Sequence, residues 1–471
     1  MTSRYIAFKA LGDYRRNRHA DTARDKMLKS PGVSTRDKAL ALRIFNGVLQ
    51  NVALCDYYTG FYSSINIKKI EPRVLDILRL SIYQLVFLSR IPYNSAVNEG
   101  VSLAKKYANP SAAGYVNAVL RKVAEAAGCG SLPEVTGEPE LRLSVRYSHP
   151  QWLVREFLAL LGTDETERLL AANNDPDTPI TAQINTLITD TAAALSLLAQ
   201  SGVQAVRHEW LEDCITLANP GDVTKLGVFS GGYLYIQDAA SRLAVIAAGP
   251  APGYSVLDGC AAPGGKSFTA ALLMGNTGYI AACDINPQRL RLVSEGAKRL
   301  GLSIIECLEC DVSQPQPGIT ANISRNGRRV VPESIIGADG EKPFCLYDVV
   351  FADVPCSGFG VINKKPDVRY KDEFSISSLP EVQKSILTQL SAYVKPGGVL
   401  LYSTCTVLKR ENEDIINWFL ERDDSFLPEG FSLPHIGEVS GGKLTLWPHI
   451  HGTDGFFICK LRKRNEQRDE L

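Results

Sequence analysis

Apolar residues at helical spacing fill the first quarter of the chain. In Arg36 to Asn51 they fall at Ala41, Leu42, Phe45, Val48 and Leu49, behind Ser34 and Thr35 as candidate caps. Pro72 to Leu88 repeats the pattern, with proline at the helix start and Ile91-Pro92 beyond its end. Asn94 to Tyr107 and Ala112 to Ala127 follow, and no strand pattern competes, so residues 1–130 are expected to form an all-α bundle. Gly128 to Glu140, rich in glycine, proline and glutamate, reads as a linker. Residues 141–228 mix the two periods. Trp152 to Leu161 and Thr163 to Ala172 read as helices, Ile180, Ala182 and Ile184 alternate with polar residues as in a strand, Asp190 to Ser201 is helical, and a strand lies near Val203. The expectation is a small α+β subdomain.

From Gly231 strand and helix alternate. Strands are expected at Ser255–Asp258, Gly278–Cys283, Ser303–Leu308, Leu346–Ala352 and Val399–Tyr402. Helices are expected at Ser267–Leu273, Pro287–Leu300 and Leu379–Tyr393. This alternation predicts an α/β domain over 229–464 with a doubly wound, mostly parallel sheet. Residues 312–343 interrupt it with a Pro/Gly/Asn-rich stretch that carries Arg325, Arg328 and Arg329 and reads as a surface insertion.

Composition adds bounds. A length of 471 residues allows two or three domains, and 45 % hydrophobic with 22 % charged residues is ordinary for a folded soluble chain. No apolar run approaches the ~20 residues of a membrane span. The first 30 residues carry charge throughout and no apolar core of a signal peptide, so the expected location is the cytoplasm, without a membrane partner. The 11 cysteines then read as thiols. The net charge of zero hides an asymmetry. Residues 1–130 hold 20 Lys/Arg against 9 Asp/Glu, an excess of 11, which the remainder cancels. A basic helical segment fits a polyanionic partner as well as it fits a solvated surface.

The chemistry concentrates in three turns. Leu257-Asp258-Gly259-Cys260-Ala261-Ala262-Pro263-Gly264-Gly265-Lys266 follows a strand and opens a helix, where backbone N–H groups can approach a ligand. It lacks the G-x-G-x-x-G of a dinucleotide fold. It misses a P-loop by one residue, since five separate Gly259 from Gly265-Lys266-Ser267. An S-adenosylmethionine site instead predicts acids at the ends of the next two strands, and Asp284 and Asp311 stand there. The alternative for each acid is a helix N-cap.

Asp353-Val354-Pro355-Cys356-Ser357-Gly358 and Ser403-Thr404-Cys405-Thr406 close two apolar runs. Strand ends of an open α/β sheet gather at one crevice, so both thiols are expected beside the first turn. Two thiols there suit covalent chemistry on an electrophilic ring: a thiolate added at C6 of cytosine makes C5 able to take a methyl group. Cys55, Cys129, Cys214, Cys260, Cys283, Cys345 and Cys459 read as small buried hydrophobes. Cys307-Leu308-Glu309-Cys310 lacks the second pair that zinc would need, and no metal is expected.

These motifs, with Tyr235-Ile236-Gln237-Asp238-Ala239-Ala240-Ser241 and Asp454-Gly455-Phe456-Phe457, resemble the Nop2/Sun family of RNA cytosine-C5 methyltransferases over nearly the whole chain. Pro92 to Glu99 and Gly114 to Val123 make the N-terminal bundle resemble the RNA-binding NusB module, and Tyr147 to Leu153 resembles the start of the family's RNA-binding subdomain. The resemblance implies a Rossmann-like catalytic domain with a mixed, mostly parallel sheet, S-adenosylmethionine as cofactor, and a cytosine of 16S (small-subunit) ribosomal RNA as substrate, methylated by a monomer. It implies that Cys405 attacks C6, that Cys356 assists product release, that Asp353 holds the cytosine edge, and that Lys266 lies near the base or the methionine end. It implies cofactor contacts from Cys260, Ala261, Ala262, Pro263, Gly264, Gly265, Lys266, Asp284, Arg289, Asp311 and Asp353. Lys365-Pro366-Asp367 stands where the family often has His-Pro-Asp, so substrate contacts there are in question. Two other classes compete: a P-loop RNA-dependent ATPase, and a non-catalytic RNA-binding scaffold.

Overall fold

The computed structural model describes residues 2–175, 178–218, 220–314 and 346–465, with the backbone of 323–325 and 328–330. The chain forms two compact units, one of Met1–Pro176 with Ile362–Lys371, the other of Asp177–Val361 with Asp372–Leu471.

The first unit is helical: α1 (Ser3–Asn17), α2 (Ala20–Leu28), α3 (Thr35–Gln50), α4 (Val52–Tyr62), α5 (Pro72–Phe87), α6 (Tyr93–Tyr107), α7 (Pro110–Gly128), α8 (Pro139–Tyr147) and α9 (Gln151–Ala172). The bundle is larger than the periodicity predicts, because α1, α2 and α4 join the four expected helices. The expected linker runs straight into α8. Helix α5 is central and buries Val74, Ile77, Leu78, Leu80 and Ile82. Its neighbours approach over glycines: a Cβ on Gly47 would lie 1.9 Å from the Tyr83 ring, and one on Gly100 2.5 Å from Ser81 Oγ. The two helices expected at Trp152–Leu161 and Thr163–Ala172 are one element broken at Gly162, whose φ is +75°.

Residues 362–371 complete this unit through a buried arginine. Arg369 donates to the carbonyls of Gln50, Tyr147, Asn173 and Pro366 and to Asn174 Oδ1, at 2.6–3.2 Å. Asp367 pairs with Arg24 at 3.0 Å, and Lys365 lies 3.8 Å from Asp21. The Lys-Pro-Asp departure therefore has structural partners within the helical unit.

The second unit opens with β1 (Ile180–Ile184), α10 (Thr191–Gln200), β2 (Gln204–Arg207), β3 (Cys214–Ala218), α11 (Gly227–Ser230) and β4 (Leu234–Ile236), whose strands form an antiparallel sheet in the order β2-β3-β1-β4. The α/β part continues with α12 (Ala239–Ala248), β5 (Ser255–Asp258), α13 (Gly265–Leu273), β6 (Tyr279–Asp284), α14 (Pro287–Leu300) and β7 (Ile305–Glu309). A short hairpin follows, β8 (Ile323–Arg325) with β9 (Arg328–Val330). The side chains of Arg325, Arg328 and Arg329 lie outside the described residues, as do 315–322, 326–327 and 331–345. Then come β10 (Tyr347–Asp353), α15 (Leu379–Ser391), β11 (Val394–Thr404), α16 (Glu413–Leu420), β12 (Phe426–Pro428), β13 (Phe431–Leu433), β14 (Gly437–Val439), β15 (Lys443–Leu446) and β16 (Phe456–Lys463).

The main sheet has the order β12-β16-β11-β10-β5-β6-β7, with β15 also on β16. From β11 to β7 it is parallel, and β16 is antiparallel to its neighbours. The mixed, mostly parallel sheet is thus as expected. The central strands are apolar throughout because helices cover both faces. Their register brings Asp258 beside Phe351 and Asp353 beside Ser403, so β5, β10 and β11 deliver their carboxyl ends to one edge.

Candidate active site

The turn after β5 is stitched to both neighbouring strands. Gly259 N donates to Phe351 O (3.0 Å) and Ala261 N to Cys283 O (2.8 Å). Gly264 has a φ of +111°, and a Cβ there would lie 2.3 Å from the Phe268 ring, so only glycine fits as helix α13 begins. Asp258 is buried. One oxygen accepts from Ser267 Oγ at 2.6 Å, and Oδ1 has no hydrogen-bond partner among the described residues. Burial pushes its carboxyl up to about 7, against the opposing Ser267 bond.

Asp284 differs from a simple helix cap. Asp284 accepts from Ala262 N (3.2 Å) and Asn286 N (2.9 Å), with the Arg289 guanidinium 3.8 Å away. Arg289 also donates to Ala262 O at 2.6 Å, so the two side chains clasp the turn after β5. The N-cap of α14 is Asn286, not Asp284. Asp311 accepts from Ser313 N and Oγ in a turn beyond β7. Cys310 N donates to Asp284 O, which keeps the two acids on adjoining strand ends.

Beside this turn the two thiols meet. Cys356 Sγ and Cys405 Sγ are 3.0 Å apart, and both residues are half-buried. The shared hydrogen bond is the largest influence on each: it pushes Cys356 well above the ordinary thiol range and pulls Cys405 below it. Burial, the Cys405 sulfur, Glu411 and Asp353 add to the rise at Cys356, whereas Lys266 helps lower Cys405 against burial and Asp353. The environment thus favours the thiol at Cys356 and the thiolate at Cys405.

Lys266, one residue into α13, reaches Asp353 Oδ2 at 2.7 Å and Ser241 Oγ at 3.2 Å and lies 4.9 Å over the Phe456 ring. Asp353 also accepts from Ser403 Oγ at 2.7 Å, across the parallel β10–β11 pair. The expected residues Lys266, Asp353, Cys356 and Cys405 thus converge, with Asp258 close enough to Asp353 and Lys266 to feel both charges. The loops behind them pack backbone on backbone: Gly360 N donates to Cys405 O, Gly455 N donates to Gly360 O, and a Cβ on Gly360 would lie 1.7 Å from Gly455 O.

Sequence reasoning assigned no role to Ser241 and Phe456, although both lie in quoted motifs, and it passed over Gln383, Glu411 and Asn412. Gln383, Glu411 and Asn412 are polar residues that become buried, and nothing in their local sequence marks them. Of the cysteines read as buried hydrophobes, Cys129 is exposed where α7 ends and Cys260 is only partly buried. Cys345 lies outside the described residues. Among the described residues no group of three or more His, Cys, Asp or Glu could hold a metal, and no helix is long and apolar enough to cross a membrane.

Comparison with known proteins bears on the family and the fold. Residues 245–462 match the family model for 16S rRNA methyltransferase RsmB/F, 1–125 match the NusB family, and 149–224 match the ferredoxin-like domain of RsmF/B-like methyltransferases. The probable ribosomal RNA small subunit methyltransferase B of Bacillus subtilis is 34 % identical over 468 residues, 98 % of each chain. The ribosomal RNA small subunit methyltransferase B of Erwinia tasmaniensis is 30 % identical over 439 residues, 92 % of each. The crystal structure of PH0851 superposes with a TM-score of 0.76 at 27 % identity, covering 98 % of this chain and 99 % of that one. Members of the family draw their methyl group from S-adenosylmethionine. The chain belongs to the RsmB/F family of 16S rRNA methyltransferases.

Proposed function

We propose that this chain methylates C5 of a cytosine in small-subunit ribosomal RNA through a covalent bond between Cys405 and C6. The observation that carries the reading is the 3.0 Å thiol pair with opposed proton affinities, set beside Lys266 and Asp353. Cys405 adds to C6 as a thiolate, the C5=C6 electrons move onto C5, and Asp353 steadies the cytosine N3/N4 edge as charge develops. S-adenosylmethionine, when bound, supplies the methyl group as a sulfonium-bound electrophile. Cys356 then serves the elimination, in which a base takes the C5 proton, the freed electron pair re-forms the C5=C6 double bond, and the Cys405–C6 bond breaks to return Cys405 as a thiolate.

The residues present suit that cofactor. The glycine-lined turn admits close approach to backbone, Asp284 ends β6, and Asp311 lies in the turn just past the end of β7. A P-loop reading fits less well, because its lysine should reach phosphates and Lys266 is committed to Asp353. Asp284→Ala should weaken S-adenosylmethionine binding by about 1.5–3 kcal/mol, the loss of hydrogen bonds to a buried charged group. Calorimetry with unchanged affinity, or tight ATP binding, contradicts the site.

Residues 1–130 and 141–228 are assigned to RNA binding, and 229–464 to catalysis by a cytoplasmic monomer. The excess of positive charge over 1–130 supports that division. Bisulfite sequencing of ribosomal RNA treated with the protein and cofactor tests the whole reading. One newly protected small-subunit cytosine is expected, and methylation at any other atom overturns it.

A further inference from the structure

Past the ends of β10 and β11 the sheet's ladder no longer fixes the backbone, yet the two thiols stand 3.0 Å apart. Something must hold both turns. Glu411 is buried at 1 % exposure, and its Oε2 accepts from Ser357 N at 2.9 Å. The same oxygen accepts from Gln383 Nε2 at 2.9 Å, and Gln383, buried on α15, also donates to Pro355 O at 3.0 Å. Both residues flanking Cys356 are thus tied to one carboxylate and its glutamine. Tyr402 fixes the main chain of Glu411 by donating to its carbonyl at 2.6 Å.

The adjacent residue treats the other thiol in the same way. Asn412 accepts from Thr404 Oγ1 (2.6 Å) and donates to Thr406 O (3.0 Å), the two residues flanking Cys405. Ser357 and Thr406 share a hydroxyl contact at 2.8 Å that joins the halves. One dipeptide therefore indexes both turns.

Packing alone does not account for Glu411. Its Oε1 is buried with no hydrogen-bond partner among the described residues, an arrangement that costs stability. Its charge also lies close enough to Cys356 to favour the protonated thiol, which the charge of Lys266 near Cys405 complements. We infer that Glu411, acting with Gln383 through the Pro355–Ser357 backbone, is the positioning residue that sets Cys356 against Cys405. The inference rests on the two-thiol reading above, but its test is independent of which step Cys356 serves.

The test is a double-mutant cycle on the full chain, with ribosomal RNA and S-adenosylmethionine as substrates. Glu411→Ala should lower multiple-turnover methylation by roughly tenfold to a hundredfold, as loss of bonds to a charged group implies. The KM for the cofactor should stay unchanged. Whatever species Cys356→Ala accumulates, Glu411→Ala should accumulate too. Adding Glu411→Ala to Cys356→Ala should slow the reaction no further, because the carboxylate acts only through that thiol. Glu411→Gln, which keeps an acceptor oxygen, should restore most of the rate. Losses that multiply in the double mutant, or wild-type turnover by Glu411→Ala, overturn the inference. If Glu411→Ala does not fold, Gln383→Ala combined with Cys356→Ala carries the same comparison. A Cys356→Ala protein that accumulates no covalent species refutes the elimination role, while the cycle still scores Glu411.

Discussion

Among the described residues two cations are buried, Arg369 and Lys266, and the two cases differ in what receives the charge. Arg369, in the helical unit, is fully buried and bonded only to neutral oxygens, four backbone carbonyls and the Asn174 amide. Burial lowers its guanidinium to about 10, so it stays charged at neutral pH and joins Gln50, Tyr147, Asn173 and residues 366–369 into one core. Lys266, in the catalytic unit, faces a carboxylate that is itself partly open, an aromatic ring, and a thiol whose proton it helps remove. A buried cation wholly satisfied by carbonyls organises a fold, whereas one that shares an acid with a reactive sulfur is placed for chemistry.

That contrast can be broken by substitution. The largest effect should come from Arg369→Met, which leaves several buried carbonyls without a donor. At 1–3 kcal/mol for each unsatisfied group, the helical unit should lose at least about 3 kcal/mol, visible as a clear drop in the denaturation midpoint. A loss below about 1 kcal/mol would show that the carbonyls find other donors. Lys266→Met should leave stability close to wild type but slow methylation by roughly tenfold to a hundredfold, the range for one charge-assisted contact.

The pH profile sharpens the same comparison. Cys405 is held below the ordinary thiol range, first by the Cys356 hydrogen bond and also by Lys266, and must be ionised to attack, so activity should rise with pH as it ionises and then level off. In Lys266→Met the rising limb should move to higher pH. An unmoved limb would mean that the thiol pair alone sets the nucleophile.

How much of this was legible depends on where the constraints are local. The three reactive turns could be placed because each follows an apolar run and carries its own residues. The break at Gly162 was legible as two helical patterns. Helices α1, α2 and α4 were passed over, although α1 buries Ile6, Ala7, Ala10, Leu11 and Tyr14, because Arg4, Lys9, Arg15 and Arg16 dilute that stripe. The recruitment of 362–371 into the helical unit has no local signal, since Arg369 acquires meaning only from carbonyls hundreds of residues away in sequence. Glu411 was invisible for the same reason: in sequence it is one acid in a run of charged residues.

The smallest effect serves as a control. Glu429 pairs with Lys460 and Arg462 in a more open setting, and its carboxyl is lowered to about 2, chiefly by the Arg462 hydrogen bond. A depressed carboxylate stabilises the fold above its unfolded value of about 4.3 and loses that contribution as pH falls towards 2. Glu429→Gln should therefore cost about 1 kcal/mol or less at neutral pH, less as pH falls through 2, and nothing well below it, with methylation unchanged.

The division of labour between the thiols is tested most directly by denaturing electrophoresis of labelled ribosomal RNA after reaction with each cysteine variant. Cys356→Ala should accumulate a covalent protein–RNA species, because attack by Cys405 remains possible while release is impaired. Cys405→Ala, and the double variant, should form none and should not methylate. A covalent species with Cys405→Ala and none with Cys356→Ala would reverse the roles and contradict the account.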